Sequence, residues 1–348
     1  MLRKSRFLFL LIVCLLTVAL IAGCGSSSKP ADGAKTDTKK PAAVVIKLAH
    51  ENVPKHPMGM AFIKFKELVE SRSNGEIKVD LYDSGKFGGG REIVEGLQSG
   101  MLQMGSSSTP NLQPFSNAFL LFDMPFLFPD YPSTDKITDG PMGKKMASAL
   151  EKHNVLGLGY IEIGFRNIYN NKRPVEKMED MQGLKIRSTA SKAHIATLKA
   201  LGASPTPVAW GEVYTAMQQK TVDGIDIDLN LAWFNNFHEV QTQMTIVNSI
   251  YSPHLVMINK PFYDKLSPAH KKIVDETFNE IKLYQRKLIR DNEKMIMDEY
   301  KKKGLKIVVL SAEERARWAK QCEAIYQEFE KEIGKDVLDE ARKTLTAK

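Results

Sequence analysis

The decisive stretch of this 348-residue chain is residues 183–228, which read GLKIRSTASKAHIATLKALGASPTPVAWGEVYTAMQQKTVDGIDID. Residues 183–187 form a short apolar run that is typical of a strand, and residues 191–201 have the spacing of a helix that ends at Gly202. Residues 207–219 predict a second helix, and residues 224–228 predict a further short strand. Strands that alternate with helices are typical of α/β architecture.

The same alternation precedes and follows this stretch. Strands are predicted at residues 44–49, 77–82, 155–163 and 305–310, and helices at residues 58–71, 91–99, 144–153 and 312–329. Because strands and helices alternate on both sides of about residue 165, we expect an α/β fold with two sheets.

The longest helical signal covers residues 266–303. Pro268 suits the first turn of a helix, and neither glycine nor proline interrupts the pattern before Gly304. About 36 residues at 1.5 Å each give a length of about 54 Å, which exceeds the diameter of a 150-residue domain. A coiled coil is one interpretation. We favour a helix that lies across two domains and braces them.

The N-terminus predicts export. Residues 1–6 are basic, and residues 7–21 are an unbroken apolar run, which is shorter than the roughly 20 residues of a membrane span but suits a signal peptide. Ile21-Ala22-Gly23-Cys24 follows and resembles a bacterial lipobox, in which the cysteine thiol is acylated. We therefore predict a signal peptide over residues 1–23, lipidation at Cys24, and a protein in the periplasm or at the outer face of the cell membrane.

Residues 24–42 contain no large apolar side chain, which predicts a flexible tether. The formal net charge is +8. Three of these charges lie in residues 1–23 and a net two in residues 24–42, which leaves +3 for the body. So small an excess argues against nucleic acid as a partner. With Cys14 removed and Cys24 acylated, Cys322 has no cysteine to pair with.

Motifs for catalysis, metals and phosphate are incomplete. His50-Glu51 lacks the second histidine of a zinc-protease motif, and Gly88-Gly89-Gly90-Arg91 lacks the lysine of a phosphate loop, so we favour a turn there. Nothing assembles a nucleophile with a base. The serines at residues 106–108 follow an apolar run, so we expect them at the carboxyl end of a strand, where ligands bind in open α/β sheets.

Two arginines and two aromatic residues are candidates for ligand binding. Arg166 and Arg187 each follow an apolar strand and could converge on one anion, since the guanidinium group pairs with a carboxylate through two hydrogen bonds. Ordinary salt bridges are the alternative. Trp210 and Tyr214 lie four residues apart on one predicted helix, so they share a face, either over a ligand or in the core.

Several motifs together resemble the solute receptors of TRAP transporters, the dicarboxylate-receptor-like (DctP) family. The similarity covers about residues 44–335. The matching pieces are Tyr82-Asp83-Ser84-Gly85-Lys86-Phe87-Gly88, Met124-Pro125-Phe126, Arg166-Asn167, Gly183-Leu184-Lys185-Ile186-Arg187, Leu201-Gly202-Ala203-Ser204-Pro205-Thr206-Pro207, Glu212-Val213-Tyr214, Ala216-Met217-Gln218 and Val222-Asp223-Gly224.

The resemblance implies a receptor that is not an enzyme, needs no cofactor or metal, and acts as a monomer. Two hinged domains would close on a small organic acid and hand it to TRAP permease subunits in the membrane. The first domain would consist of residues 43–163 and 253–292, and the second of residues 164–252 and 293–348. Arg187 matches the arginine that pairs with the ligand carboxylate, and Arg166 a second arginine that assists. The other positions that the resemblance places around the pocket are Trp210, Glu51, Arg91, Ser106 and Ser107.

The sequence departs from the family after Asp223-Gly224. Ile227 stands where many relatives carry asparagine, and the roles of Asp226 and Asp228 stay open. If one of these aspartates faces the cleft, it would repel a second ligand carboxylate, so we expect a monocarboxylate. A lipoprotein sensor that presents its ligand to a membrane kinase, and an exported enzyme with a two-domain cleft, are the alternative functions.

Overall fold

The computed structural model describes residues 44–346. The predicted signal peptide, the lipidation site at Cys24 and the tether over residues 24–42 lie outside this range. Within it, no helix combines the length and the apolar character that a membrane span needs.

Residues 44–346 form eleven strands and twelve α-helices, joined by loops and short 3-10 turns. The strands are β1 (Val44–Ala49), β2 (Ile77–Tyr82), β3 (Met104–Ser108), β4 (Val155–Phe165), β5 (Asn167–Asn170), β6 (Lys185–Ser188), β7 (Ser204–Pro207), β8 (Gly224–Ile227), β9 (Gln243–Ile246), β10 (Tyr251–Asn259) and β11 (Lys306–Val309). The helices are α1 (Pro57–Arg72), α2 (Gly90–Ser99), α3 (Tyr131–Thr138), α4 (Pro141–Ser148), α5 (Lys192–Ala200), α6 (Val213–Gln218), α7 (Leu229–Phe234), α8 (Lys260–Lys265), α9 (Pro268–Lys302), α10 (Ala312–Gln321), α11 (Glu323–Ile333) and α12 (Lys335–Thr346).

The strands form two sheets. The first has the order β2-β1-β3-β10-β4, with β1 parallel to β2 and β3, and β10 antiparallel to β3 and β4. The second has the order β11-β9-β5-β8-β6-β7. The chain changes sheets between Phe165 and Asn167 and returns between Ile246 and Tyr251. The predicted α/β class with two sheets is confirmed.

Helix α9 spans both sheets. Its 35 residues correspond to about 52 Å. The N-terminal part packs on α1 and β4 of the first sheet. Farther along, Asn230 of α7 donates to the Ile289 carbonyl at 3.2 Å, and the Tyr300 ring meets the Tyr169 ring of β5 edge to face. These contacts lie within one chain, so the bracing interpretation is confirmed and the coiled coil is not needed.

Four predicted elements were wrong in their bounds. The helix predicted over residues 144–153 is α4, which ends at Ser148, followed by a 3-10 turn at Glu151–His153. Residues 207–219 are not one helix, because β7 runs to Pro207 and a 3-10 turn at Trp210–Glu212 precedes α6. The segment 312–329 is broken at Cys322, and Gly334, at a φ of 96°, separates α11 from α12. The apolar residues 101–104 mostly precede β3, whose ladder with β10 instead contains the serines.

Candidate functional site

The N-terminus of α2 receives an acidic side chain, Glu51, from the segment that follows β1. Gly89 is the cap residue of α2 and supplies no side-chain hydrogen bond. The Glu51 carboxylate accepts instead from the Gly90 amide. A Cβ at Gly90 would lie 2.1 Å from Asn111 Nδ2, 2.6 Å from Ser107 Oγ and 2.8 Å from Glu51 Oε2, so only glycine fits.

The carboxyl group of Glu51 has a pKa close to neutral pH. Burial raises the pKa of its carboxyl group to about 7, although the Gly90 hydrogen bond and the charge of Arg187 oppose the rise. The interaction with Arg187 joins the first sheet, where Glu51 follows β1, to the second sheet, where Arg187 lies in β6.

Arg187 is a buried cation without a carboxylate partner. Its side chain is only 4% exposed, and Nε and Nη2 both donate to the Val208 carbonyl, at 3.0 and 2.8 Å. Its guanidinium carbon lies 5.9 Å from the centre of the Trp210 ring. Within residues 44–346 no carboxylate oxygen lies within 4.0 Å of it. Burial, followed by the nearby Arg166, lowers the pKa of Arg187 to about 9.

Arg166, the other predicted arginine, is already paired. Nε donates to Asp226 Oδ2 at 2.9 Å, Nη2 to the Asp226 carbonyl, and Nη1 to Ser252 Oγ at 3.3 Å. Both side chains of the ion pair are nearly inaccessible. The positive charge of Arg166 is therefore compensated within the protein.

Asp228 caps α7. Its Oδ1 accepts from the Leu231 amide at 2.9 Å, and burial raises the pKa of the carboxyl group to about 7, with the Leu231 hydrogen bond opposing. Asp226 is bound to Arg166 and Asp228 at a helix end, although Asp226 Oδ1 and Asp228 Oδ2 have no hydrogen-bond partner among the described residues. Neither side chain lines the cavity described below. The expectation of a monocarboxylate therefore cannot rest on an aspartate that is free in the cleft.

Trp210 and Tyr214 line a cavity of about 400 Å³. Both rings pack against Phe237, with centroids 5.9 and 6.4 Å away, and the Tyr214 hydroxyl donates to Glu239 at 2.8 Å. The two residues therefore share a face, as expected, although Trp210 belongs to a 3-10 turn. The cavity wall combines segments that follow strands of both sheets: Glu51, Val53, Ser84, Gly85, Gly88, Gly89, Trp210, Gly211, Tyr214, Asn235 and Phe237.

Seven predicted site residues do not line this cavity, namely Arg166, Arg187, Asp226, Asp228, Arg91, Ser106 and Ser107. Arg91 points away, since its side chain is 79% exposed and bonds Glu95 at 2.8 Å. Ser106 and Ser107 lie in the carboxyl-terminal part of β3, as expected, but both are buried. Ser107 Oγ donates to the Gly90 carbonyl at 3.0 Å, so it supports the glycine loop, and Ser106 Oγ donates to the Met58 sulfur at 3.4 Å.

Sequence reasoning missed Val53, Asn235 and Phe237 in the cavity wall. Asn235 and Phe237 follow α7 in an irregular turn where Asn236 has a φ of 59°. The Asn235-Asn236 pair signals such a turn in the sequence, but nothing there shows that it reaches the segments after β1 and β2.

The sequence and the fold match those of known proteins. The family described as bacterial extracellular solute-binding protein, family 7 (DctP), matches residues 48–332. The chain belongs to this family. The resemblance read from the motifs is thereby confirmed, and the protein is a solute-binding receptor by family.

Individual relatives cover most of the chain. It is 33% identical over 271 residues to the 2,3-diketo-L-gulonate-binding periplasmic protein YiaO of Escherichia coli, covering 78% of this chain and 83% of YiaO. It is 32% identical over 297 residues to the C4-dicarboxylate-binding periplasmic protein DctP of Rhodobacter capsulatus, covering 85% and 89%. The structure of the sugar acid binding protein DctPAm of Advenella mimigardefordensis in complex with galactonate matches with a TM-score of 0.85 at 29% identity, covering 87% and 98%.

Proposed function

We propose that this protein captures a small organic acid between its two sheets and delivers it to a TRAP-type permease in the membrane. The observation that carries the proposal is Arg187, a guanidinium that is 4% exposed and bonds only a carbonyl among the described residues. A buried charge without a counter-ion is costly, and a ligand carboxylate would supply that counter-ion through bidentate hydrogen bonds.

The balance of charge supports one ligand carboxylate. Arg166 is matched by Asp226, so Arg187 provides the uncompensated cation, and Glu51 lies close enough to interact with it. A second ligand carboxylate would meet Glu51 or a neutral surface in a desolvated site, which is unfavourable. The ligand is therefore a monocarboxylate. The relatives do not decide this point, because one binds C4-dicarboxylates and others bind sugar acids.

The topology supports a receptor built from two domains. Residues 43–163 with 253–292 form the first domain, and residues 164–252 with 293–348 the second. The chain changes sheets near residue 166 and returns before residue 251, which supports these boundaries. Arg187 and Glu51 then lie on opposite domains and act as ligand-binding residues.

The receptor is exported and held at the membrane by a lipid on Cys24. The basic start, the apolar run and the Ile21-Ala22-Gly23-Cys24 motif support this part of the proposal. A Cys24→Ser variant should lose incorporation of labelled fatty acid and remain an unprocessed precursor. Normal labelling and processing of the variant would show that the anchor lies elsewhere.

A thermal-shift screen of the soluble domain tests the binding function. The screen would use mono- and dicarboxylates, keto acids, uronates and amino acids. We expect at least one of these compounds to raise the melting temperature of the domain with a saturating dose response. The corresponding neutral sugars and alcohols, which lack the carboxylate, should give no shift. If every acid fails, or if a neutral sugar stabilises the domain as well as its acid does, the carboxylate receptor is excluded.

A further inference from the structure

Asp123 is a buried carboxylate with polar neighbours from both halves of the molecule. It ends the 3-10 turn Asn117–Asp123, which follows β3 of the first sheet, and the Gln113 amide donates to its Oδ2. The hydroxyl of Ser191, which follows β6 of the second sheet and caps α5, donates to the same oxygen at 2.7 Å. His194 Nε2 of α5 lies 3.1 Å from Asp123 Oδ1. Asp123 therefore joins the segment after β3 to the start of α5.

The loop between β6 and α5 is held by further polar contacts. Thr189 Oγ1 accepts from the Ser191 amide at 3.2 Å and lies 2.7 Å from His194 Nδ1. In the neutral ring, the Asp123 carboxylate favours the proton on Nε2, so Nδ1 accepts from the Thr189 hydroxyl. The loop that directly follows Arg187 and its strand is thus fixed to the buried carboxylate.

The same loop reaches the carbonyl group that holds Arg187. The Val208 amide donates to the Ser188 carbonyl at 3.3 Å. The Val208 carbonyl in turn accepts both hydrogen bonds of the Arg187 guanidinium, at 3.0 and 2.8 Å. A continuous path of hydrogen bonds and peptide links therefore leads from the first half of the molecule to Arg187, through Asp123, Ser191, Thr189, Ser188 and Val208.

A carboxylate at the start of this path has a physical use. Burying a charge costs free energy that a neutral side chain would not cost, but hydrogen bonds to a charged acceptor are shorter and stronger than neutral ones. Among the described residues, Arg187 has only a neutral carbonyl as its acceptor, so its orientation depends on how firmly that carbonyl is held. Binding groups keep their geometry when the residues around them are fixed by hydrogen bonds of their own.

We propose that Asp123 is a positioning residue for Arg187. From the first half of the molecule it fixes the loop and the carbonyl that orient the guanidinium in the second, and it acts on Arg187 rather than on the ligand. The inference rests on the proposed function, because Arg187 must hold the ligand carboxylate. Without this anchor the guanidinium would have to be ordered on binding, so affinity would fall while the fold persists.

Calorimetry of the best acid with an Asp123→Asn variant tests the assignment. Asparagine has nearly the same shape, but it has no charge and its amide offers fewer acceptors to the surrounding donors. The affinity should fall about tenfold, as expected for a weakened hydrogen bond to a charged group, while each folded molecule still binds one ligand. A purely structural role would instead reduce the number of competent molecules and leave their dissociation constant unchanged. An unchanged dissociation constant would overturn the proposal.

A Ser191→Ala variant tests the same path without altering the carboxylate, and Ser311→Ala is its matched control. Both serines cap a helix with their side chains, α5 for Ser191 and α10 for Ser311, so the two variants should lose similar stability. Only Ser191 also bonds Asp123. Ser191→Ala should bind the acid about fivefold more weakly, and Ser311→Ala should bind it normally. Equal affinities in these two variants would overturn the proposal even if Asp123→Asn does not fold.

Failure of this inference is distinguishable from failure of the proposed function. If Arg187→Ala loses affinity while Asp123→Asn and Ser191→Ala keep it, Arg187 binds the ligand but Asp123 does not position it. If the unmodified protein binds no acid, or if Arg187→Ala binds as well as the unmodified protein, the proposed function itself is wrong and the role of Asp123 falls with it.

Discussion

At the residue scale, the site combines one cation and one acid that are both incompletely compensated. Among the described residues, Arg187 donates hydrogen bonds only to the Val208 carbonyl. The Glu51 carboxylate accepts a hydrogen bond from the Gly90 amide at the start of α2. Helix N-termini favour anions, but burial works against the charge on Glu51. A ligand carboxylate that approaches Arg187 adds a second negative charge near Glu51, and so favours its protonated form.

Ligand binding should therefore take up a proton near neutral pH. The pKa of Glu51 is about 7 in the free protein, with Glu92 raising it and Arg187 lowering it, and bound ligand raises it further. Affinity should fall as pH rises above 7, by at most about tenfold per pH unit, and level off below 7. Calorimetry of the best acid at pH 6.5 and 8.5 measures this.

A Glu51→Gln variant provides the control for this pH dependence. The amide cannot titrate, so its affinity should be the same at both pH values. Equal dissociation constants for the unmodified protein at pH 6.5 and 8.5 would show that Glu51 does not titrate with binding.

At the element scale, the long regular elements were predictable and the irregular ones were not. Strands β1 and β2 and helix α9 have complete periodic patterns, and their bounds match the expectation within two residues. Strand β10 was missed, because Pro253 interrupts it. The structure places Pro253 at a register shift, where a missing amide costs no ladder hydrogen bond.

The same contrast holds for the candidate site, because residues beside regular elements and family motifs could be proposed from the sequence and residues in irregular segments could not. Arg187 and Trp210 could be proposed from the sequence because a short strand precedes Arg187 and family motifs surround both residues. Arg91 was misplaced, because a resemblance in position says nothing about the side-chain direction that its contact with Glu95 fixes. The cavity wall draws on the segments that follow β1, β2 and α7, and no spacing along the chain indicates that these segments meet.

Helix α9 is fixed to strand β4 by an ion pair whose carboxylate, Glu162, is buried while Arg290 is 30% exposed. Arg290 donates to both oxygens of Glu162, at 3.0 and 2.8 Å, and to Asp135 at 2.8 Å, while the Tyr251 hydroxyl reaches Glu162 at 3.2 Å. Glu162 is fully buried. Removing one partner of such a pair leaves an uncompensated buried charge.

Arg290→Ala should therefore destabilise the protein by about 3 kcal/mol at pH 7. Urea denaturation measures the free energy of unfolding. Lys287→Ala on the same helix is the matched control, because its exposed pair with Asp291 is worth about 0.5 kcal/mol or less. Equal stabilities for the two variants would mean that the Arg290 network does not hold α9.

At the scale of the whole molecule, the two sheets carry complementary halves of one site. Glu51 follows a strand of the first sheet, Arg187 lies in strand β6 of the second sheet, and Trp210 follows strand β7 of the second sheet. Only a state in which both halves touch the ligand gains the full binding energy, so ligand shifts the population toward it.

The soluble domain should become more compact when its acid binds. Small-angle X-ray scattering at saturating ligand should show a smaller radius of gyration than the ligand-free protein, and Arg187→Ala at the same ligand concentration should not contract. A radius that stays constant through saturation would exclude closure as the mechanism of capture.

The most direct test of the account is calorimetry of the best acid with Arg187 replaced. Arg187→Ala should weaken binding more than tenfold, because truncating one partner of a buried charge pair costs about 2–5 kcal/mol, and Arg187→Lys should restore little, because lysine lacks the planar fork. Arg91→Ala, at an exposed arginine that bonds only Glu95, should bind normally. Near-normal affinity in Arg187→Ala would contradict the central claim that this guanidinium holds the ligand carboxylate.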